Sequence, residues 1–444
     1  MAAYLNRLHH ISLHVSNVNK LAYELVSQYK FDLFAARLSG QSRQLAFRKG
    51  AAVFVVNERP NQPPLRLNEP LTGITNGHSF DLNRDNVGKC GGDRHVNCLY
   101  DVTPHYSVDS ACNVCFEVED VERSFKVLRD HGCDFLVPPT AVQDDRGLVT
   151  YMVVKSIVGN VCHTLIDRTK YKGSFLPGFE TVSDSSLDDT SCPVTHFDHI
   201  TYACSRKATP QVMQWYQRLF GFRRFFIDSN EDVDEGYVLN QDGVGLRLTA
   251  MEYWKCSQKG IALNFTDKKE PTCKFVIAES LPEQGRNQVD TFLDQHRGPG
   301  IQHIALYTQD IVSTAHTMAE AGVQFFSPPP AYYTEVGKQQ EIEEAGHSPQ
   351  MLAQHGILLD TDVRQGPSPQ IESRENRGYL LQVFTKPIFA EDTFFLELIE
   401  RRGASGFGEG NIRALWRSVQ AYMENERGEP QGESTPENLQ SAHH

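Results

Sequence analysis

Four stretches of this chain open alike: LHHISL (8–13), ACNVCF (111–116), FDHITY (197–202) and IQHIAL (301–306). Each mixes apolar, β-branched and aromatic residues over the length of a strand. Their spacing is regular: Asn113 lies as far beyond His10 as His303 lies beyond His199, to within one residue. A helical pattern follows each opening. The first runs from Asn17 to Lys30, and the second starts at Asp120 with Val121, Phe125 and Leu128. In the third, Thr209 is the expected cap, Pro210 sits in the first turn, and Val212, Trp215, Tyr216 and Leu219 precede Gly221. The fourth runs from Asp310 to Ala321.

The later parts of the second and fourth units agree as well. HGCDFLVPP (131–139) matches AGVQFFSPP (321–329), and CHTLIDR (162–168) matches FLELIER (395–401). A unit that recurs in this way packs its apolar face against its neighbours. The expected fold is therefore α+β, with two barrel-like halves, each built from two strand–helix–strands units. Residues 1–176 form the first half, interrupted by a polar insertion at 59–109. A Gly/Pro/Ser/Asp-rich linker covers 177–193, and residues 194–427 form the second half, with a polar loop at 362–377. Residues 428–444 have the composition of disorder.

Composition removes several function classes. A net charge of −13 argues against nucleic acid as the main partner, because phosphate binding needs a basic surface. No apolar run approaches the roughly 18 residues of a membrane helix. Ten cysteines in 444 residues, several inside apolar runs, read as reduced, buried thiols rather than a disulfide scaffold. The opening MAAYLNRLHHISLHV moves directly into a strand pattern, with no secretory apolar region, and is poor in Arg and Ser for a mitochondrial presequence.

Overlaying the halves isolates a site. The second half has His199 and His303 at equivalent strand positions and Glu397 on its last strand, whereas the first has His10, Asn113 and Thr164. Glu397 lies among Phe394, Phe395, Leu396, Leu398 and Ile399, where a carboxylate is costly to bury without a cation. A lone strand histidine is more often a satisfied core residue than a ligand. Three donors at repeat-related positions reverse that preference. Two imidazoles and one carboxylate make the facial triad of non-haem Fe(II) oxygenases, with open positions left for substrate. Zinc is the rival metal, though a site without cysteine suits iron better. The first half is then structural.

After Glu397 comes a glycine-rich turn, Gly406 to Gly410, then Asn411 as an N-cap and a helix with Ile412, Leu415, Trp416, Val419 and Tyr422 on one face, suited to close over the site. Other residues make weaker candidates. Cys112 and Cys115 read as core, His78, Cys90, His95, Cys98 and His105 in the insertion fit no standard zinc spacing, and the acidic run Glu341 to Glu344 reads as a solvated helix face.

The motifs GPGIQHIALYT (298–308), GYLLQVFTKP (378–387) and FFLELIERRGASGFGEGNI (394–412) resemble those of 4-hydroxyphenylpyruvate dioxygenases. RQLAFRKGAAVFVVNE (43–58) and YKGSFLPGFE (171–180) resemble a divergent branch of that family more closely. The resemblance implies the vicinal-oxygen-chelate fold of four βαβββ units, Fe(II) as cofactor, and an aromatic 2-oxo acid and O2 as partners. It places the iron ligands on His199, His303 and Glu397. Pocket glutamines fall on Gln288, Gln302 and Gln382, pocket aromatics on Phe384, Phe395 and Phe407, and a pocket asparagine on Asn411.

Three departures bear on the product. Leu248 stands where the dioxygenases have serine, Ala278 where they have asparagine, and Ile412 where they have phenylalanine. Losing two polar groups and one aromatic predicts benzylic hydroxylation, giving 4-hydroxymandelate. Homogentisate formation in tyrosine catabolism is the first alternative, and an inactive 2-oxo-acid-binding homologue the second. Ring-cleaving extradiol chemistry is disfavoured by the glutamines and the glycine-turn helix. The family also implies mitochondria, with cytoplasm as the alternative, and leaves a homo-oligomer open.

Overall fold

The computed structural model describes residues 2–39, 42–59, 98–102, 106–182, 192–227, 231–241, 244–253, 273–361, 378–404, 406–408, 410–412 and 414. Four units follow one another. The first is β1 (Leu5–Val15), a helix at Val18–Ser27, β2 (Asp32–Leu38), β3 (Arg43–Lys49) and β4 (Ala52–Glu58). The second is β5 (Ser110–Val118), a helix at Val121–Asp130, β6 (Phe135–Asp144), β7 (Gly147–Lys155) and β8 (Cys162–Asp167). A short β9 (Glu180–Thr181) comes next. The third unit is β10 (Val194–Cys204), a helix at Thr209–Phe220, β11 (Phe222–Phe225), β12 (Tyr237–Gln241), β13 (Val244–Tyr253) and β14 (Lys274–Ser280). The fourth is β15 (Gly300–Thr308), a helix at Ile311–Glu320, β16 (Leu358–Thr361), β17 (Tyr379–Phe384) and β18 (Phe395–Arg402).

Local chemistry sets the helix starts. Asn17, Asp120 and Asp310 each accept a hydrogen bond from the backbone N–H three residues on. The third helix differs from expectation, because Thr209 is its first residue rather than its cap. Its hydroxyl and N–H are both taken by the Glu279 carboxylate. Gly221 ends that helix in the left-handed conformation, φ 72.

The strands form two sheets of matching order. One reads β6-β7-β8-β5-β1-β4-β3-β2-β9, and the other β11-β13-β14-β10-β15-β18-β17-β16, with β12 on β13. Register matches too. His10 pairs with Cys115 and Ser12 with Asn113, while His199 pairs with Ala305 and Thr201 with His303. The overlay read from the sequence is thus the register of the fold. One large apolar cluster, including Leu13, Phe54, Phe197 and Ile304, runs through both halves, and the rings of Phe54 and Phe197 meet edge to face at 5.1 Å.

Each curled sheet also has its own interior. Tyr100, Tyr151, Phe34 and Phe175 fill that of the first sheet. Phe175 and Leu176 follow β8 closely and are buried, and β9 pairs Thr181 with Ala35 of β2. The expected linker at 177–193 is therefore partly a sheet strand, since backbone pairing overrides its polar composition; residues 183–191 lie outside the described residues. Within the 59–109 insertion, Cys98, Tyr100 and Asp101 are buried. His78, Cys90, His95 and His105, the 362–377 loop and the tail lie outside the described residues. Cys112 and Cys115 are buried. Glu343 and Glu344 are exposed, and Glu341 bonds Thr361 N at 2.9 Å. No helix among the described residues is long and apolar enough to cross a membrane.

Candidate metal centre

The centre of the second sheet brings the three expected ligands together. β10, β15 and β18 are neighbours there. Ala305 pairs with His199 on one side and with Glu397 on the other. Its methyl leaves room between the two larger side chains. Glu397 Oε2 lies 3.2 Å from His199 Nε2 and 3.6 Å from His303 Nε2. The two imidazole rings stand at 83° with centroids 5.6 Å apart. Phe407 meets the His199 ring edge to face at 5.1 Å, and Phe395 stacks on His303 at 4.7 Å.

The electrostatics call for a cation. Burial alone would push the His199 imidazole down, but Glu397 and Asp198 lift it to about 9. Burial, with His199 adding, drives His303 well below its usual value. Glu397 is 1% exposed and lies against the His199 ring, a place where a divalent ion would offset the cost of burying a carboxylate. His303 Nδ1 is buried with no partner among the described residues. Two imidazoles and a carboxylate, with no sulfur beside them, fit Fe(II).

A surrounding shell fixes these ligands. His199 Nδ1 bonds Asp198 Oδ1 at 2.9 Å. Asp198 in turn accepts from Arg401 Nε and Nη2 at 2.7 and 2.8 Å. Burial would raise the Asp198 carboxyl, but Arg401 and His199 hold it well below the carboxylate range. Arg401 also donates to the Gly406 carbonyl. Such a carboxylate behind a ligand histidine sets its tautomer and its ring orientation.

Gln382 joins the centre to the glycine turn. Its Nε2 donates to Glu397 Oε1 at 2.9 Å and to the Phe407 carbonyl at 3.2 Å, and its Oε1 accepts from Asn411 Nδ2 at 3.0 Å. Tyr332 donates to Asn411 Oδ1 at 2.9 Å. Asn411 therefore lies inside the first helical turn as a bridge and is not the N-cap read from the sequence; Ile412 N already donates to Gly408 O. Gly408 has φ +71, and a Cβ there would sit 2.1 Å from Gln382 Oε1, so this position requires glycine. Leu415, Trp416, Val419 and Tyr422 lie outside the described residues.

The remaining expected pocket residues fall on several elements of the second half. Leu248 pairs with Ala278 across β13 and β14. Both belong to an apolar cluster with Val276, Ile227 and Phe407, against which Ile412 packs. Phe384 and Phe395 share a second cluster with Leu358 and Phe326. Gln288 opens the helix Gln288–Gln295. Gln302 is left unpaired at a bulge, since Thr201 pairs with His303 and Tyr202 with Ile301. Both residues are 5% exposed.

Sequence reasoning missed Asp198 and Arg401. Arg401 carried a signal, because it follows Glu397 by an even number of strand positions and so shares its face, whereas Asp198 carried none, because strand alternation would turn it away from His199.

The chain resembles known proteins at several levels. The model of the glyoxalase/bleomycin resistance protein/dioxygenase superfamily matches residues 196–347. A 4-hydroxyphenylpyruvate dioxygenase-like protein of Rattus norvegicus is 41% identical over 428 residues, 95% of this chain and 98% of that protein. A 4-hydroxyphenylpyruvate dioxygenase of Yarrowia lipolytica is 30% identical over 323 residues, 70% of this chain and 72% of that protein. Among solved structures, a triple mutant of 4-hydroxymandelate synthase from Streptomyces coelicolor shares the fold, with TM-score 0.68 and 21% identity over 94% of this chain and 99% of that one.

Proposed function

The chain belongs to the family of 4-hydroxyphenylpyruvate dioxygenase-like proteins, and on that premise we propose that it is an Fe(II)-dependent dioxygenase converting 4-hydroxyphenylpyruvate and O2 to 4-hydroxymandelate and CO2. The observation that carries this reading is the apolar Leu248–Ala278 pair in the cluster that also holds Phe407, whose ring meets His199. One oxygen atom enters the new carboxylate and the other the benzylic hydroxyl, so the equation balances without a further reductant.

His199, His303 and Glu397 hold the iron, which when bound supplies the oxygen activation that no side chain here can provide. The chain's own groups do the rest. Gln288 and Gln302 bind polar ends of the substrate. Gln382 keeps Glu397 oriented by its bond to Oε1. Phe384, Phe395 and Phe407 pack around the aromatic ring and exclude water. Leu248 and Ala278 offer the ring no hydrogen bond, so it settles with its benzylic carbon toward the centre. The glycine turn and the helix that starts beside Asn411 close over the bound substrate. A mitochondrial location is part of this reading by family resemblance, and cell fractionation tests it.

His199→Ala, His303→Ala and Glu397→Ala should each abolish iron retention and turnover in a folded protein. A Glu397→Ala protein that turned over normally would sink the assignment.

A further inference from the structure

The half that lacks the triad carries a different donor set at the same place in its sheet. His9, His10 and Cys115 each offer a ligand atom, and these atoms all lie within 4.8 Å of one another. Register explains the grouping. His10 pairs with Cys115 across β1 and β5, as His199 pairs with Ala305 in the other half. A bulge between Leu8 and His10 leaves His9 unpaired. It breaks the alternation that would send neighbouring side chains to opposite faces. The matching bulge in β10 leaves Asp198 beside His199. Position by position, an imidazole has replaced the Asp198 carboxylate and a thiol has replaced the Ala305 methyl.

All three donor side chains are withdrawn from water. His10 is 2% exposed and Cys115 0%, and the His9 side chain is 6% exposed. The Nδ1 atoms of His9 and His10 are 2.7 Å apart, so one ring donates to the lone pair of the other. His9 Nε2 lies 3.7 Å from Glu117 Oε1, a carboxylate behind the ring like Asp198 behind His199. Arg7 and Arg168 also face Glu117, and Asp101 lies on the side of His10. Burial keeps both imidazoles below their usual range, in the form that ligates metals. Phe175 stacks on His9 at 5.4 Å and covers that side.

We propose that His9, His10 and Cys115 form a second metal site, for Zn(II), that ties β1 to β5 in the N-terminal half. Nitrogen and thiolate donors favour zinc, whereas the sulfur-free set in the other half favours iron. Tetrahedral zinc needs donor atoms about 3.3–3.8 Å apart, given Zn–N near 2.0–2.1 Å and Zn–S near 2.3 Å. The three donor atoms already lie within 4.8 Å of one another. On loading, the Cys115 thiol releases its proton to solvent, and the proton between the rings moves to a ring Nε2. Three protein donors leave the fourth tetrahedral position to water, and Phe175 covers the His9 side.

Cobalt(II) is the probe, added without oxygen to the metal-stripped full-length protein. Two equivalents should bind, and the second should bring the near-ultraviolet absorption of a sulfur–cobalt bond. The His199, His303 and Glu397 set holds no sulfur and cannot produce that band. Cys115→Ser and His9→Ala should each lose the band and one equivalent while keeping the other. A band that survives both substitutions arises elsewhere and overturns the assignment. If either variant fails to fold, the unmutated protein still decides: binding without the band overturns the site.

Discussion

Replacing Arg401 by methionine separates two jobs that one side chain performs. The guanidinium gives Asp198 two bonds, at 2.7 and 2.8 Å, and both groups are buried, with side-chain exposures of 12% and 7%. Removing one partner of a buried pair costs about 3–5 kcal/mol, because the other charge is stranded. His199 still bonds Asp198, so the lower end, about 3 kcal/mol, is expected for Arg401→Met. In a chain of 444 residues, with an unfolding entropy of about 2.1 cal/mol/K per residue, that is a fall of roughly 3 °C in the unfolding midpoint. The second effect is on the metal. A ligand histidine whose carboxylate partner is freed to move should lose about 10–100-fold in Fe(II) affinity. Adding Asp198→Asn removes the stranded charge and should restore more than half of the lost stability. It should not restore iron affinity, because the amide is a weaker acceptor for His199 Nδ1. Thermal unfolding and Fe(II) competition against a chelator, run on both variants, give the answer. An Arg401→Met protein with unchanged midpoint and iron affinity would refute the coupling, as would a double variant that recovers affinity along with stability.

Other substitutions probe the rest of the architecture. Gln382→Leu breaks the bonds to Glu397 and Asn411 and should cost about 10–100-fold in iron affinity, with less effect on stability. Gly408→Ala places a methyl against Gln382 at a positive φ. It should destabilise by about 1 kcal/mol or more and lower kcat, read by unfolding and by turnover. In the first half, Asp101 accepts from Asn57 and Asn113 and pairs with His14 at 2.9 Å. Asp101→Ala should cost about 3–5 kcal/mol near pH 5 to 6. Burial would raise the Asp101 carboxyl, but His14 holds it low, so its contribution is lost as pH falls below the unfolded value of about 4. Burial would lower His14, but Cys112 and Asp101 raise it well above 6.5, so its contribution is present below pH about 6.5 and lost as pH rises through that raised value. The gap in midpoint between parent and variant should therefore narrow on both sides of that window. A gap independent of pH would refute the ion pair.

The repeat made the sheet order and the triad legible, because equivalent positions in the two halves could be compared directly. His10, Asn113 and Thr164 against His199, His303 and Glu397 needed no contact information. What escaped depended on pairing in three dimensions. A bulge is set by the partner strand, so nothing in LHHISL shows that His9 joins His10. Asp101 sits in a polar insertion where one acid among many carries no period. Asn411 is a good cap by type, but the turn before it starts the helix earlier, and its side chain bridges Gln382 and Tyr332 instead. Phe179 lies in the stretch read as linker because Gly and Pro precede it, yet it packs against the interior of the first sheet.

The central claim is the product, and the pocket decides it by a small margin: about 1.4 kcal/mol between two transition states shifts the ratio tenfold. 4-Hydroxymandelate and homogentisate are isomers, so mass alone does not separate them. The direct measurement is chromatography against both standards after anaerobic Fe(II) loading, addition of 4-hydroxyphenylpyruvate and exposure to air. The unmutated protein should give mainly 4-hydroxymandelate, with a partial shift toward homogentisate when Leu248→Ser is combined with Ala278→Asn. Homogentisate as the main product of the unmutated protein would contradict it.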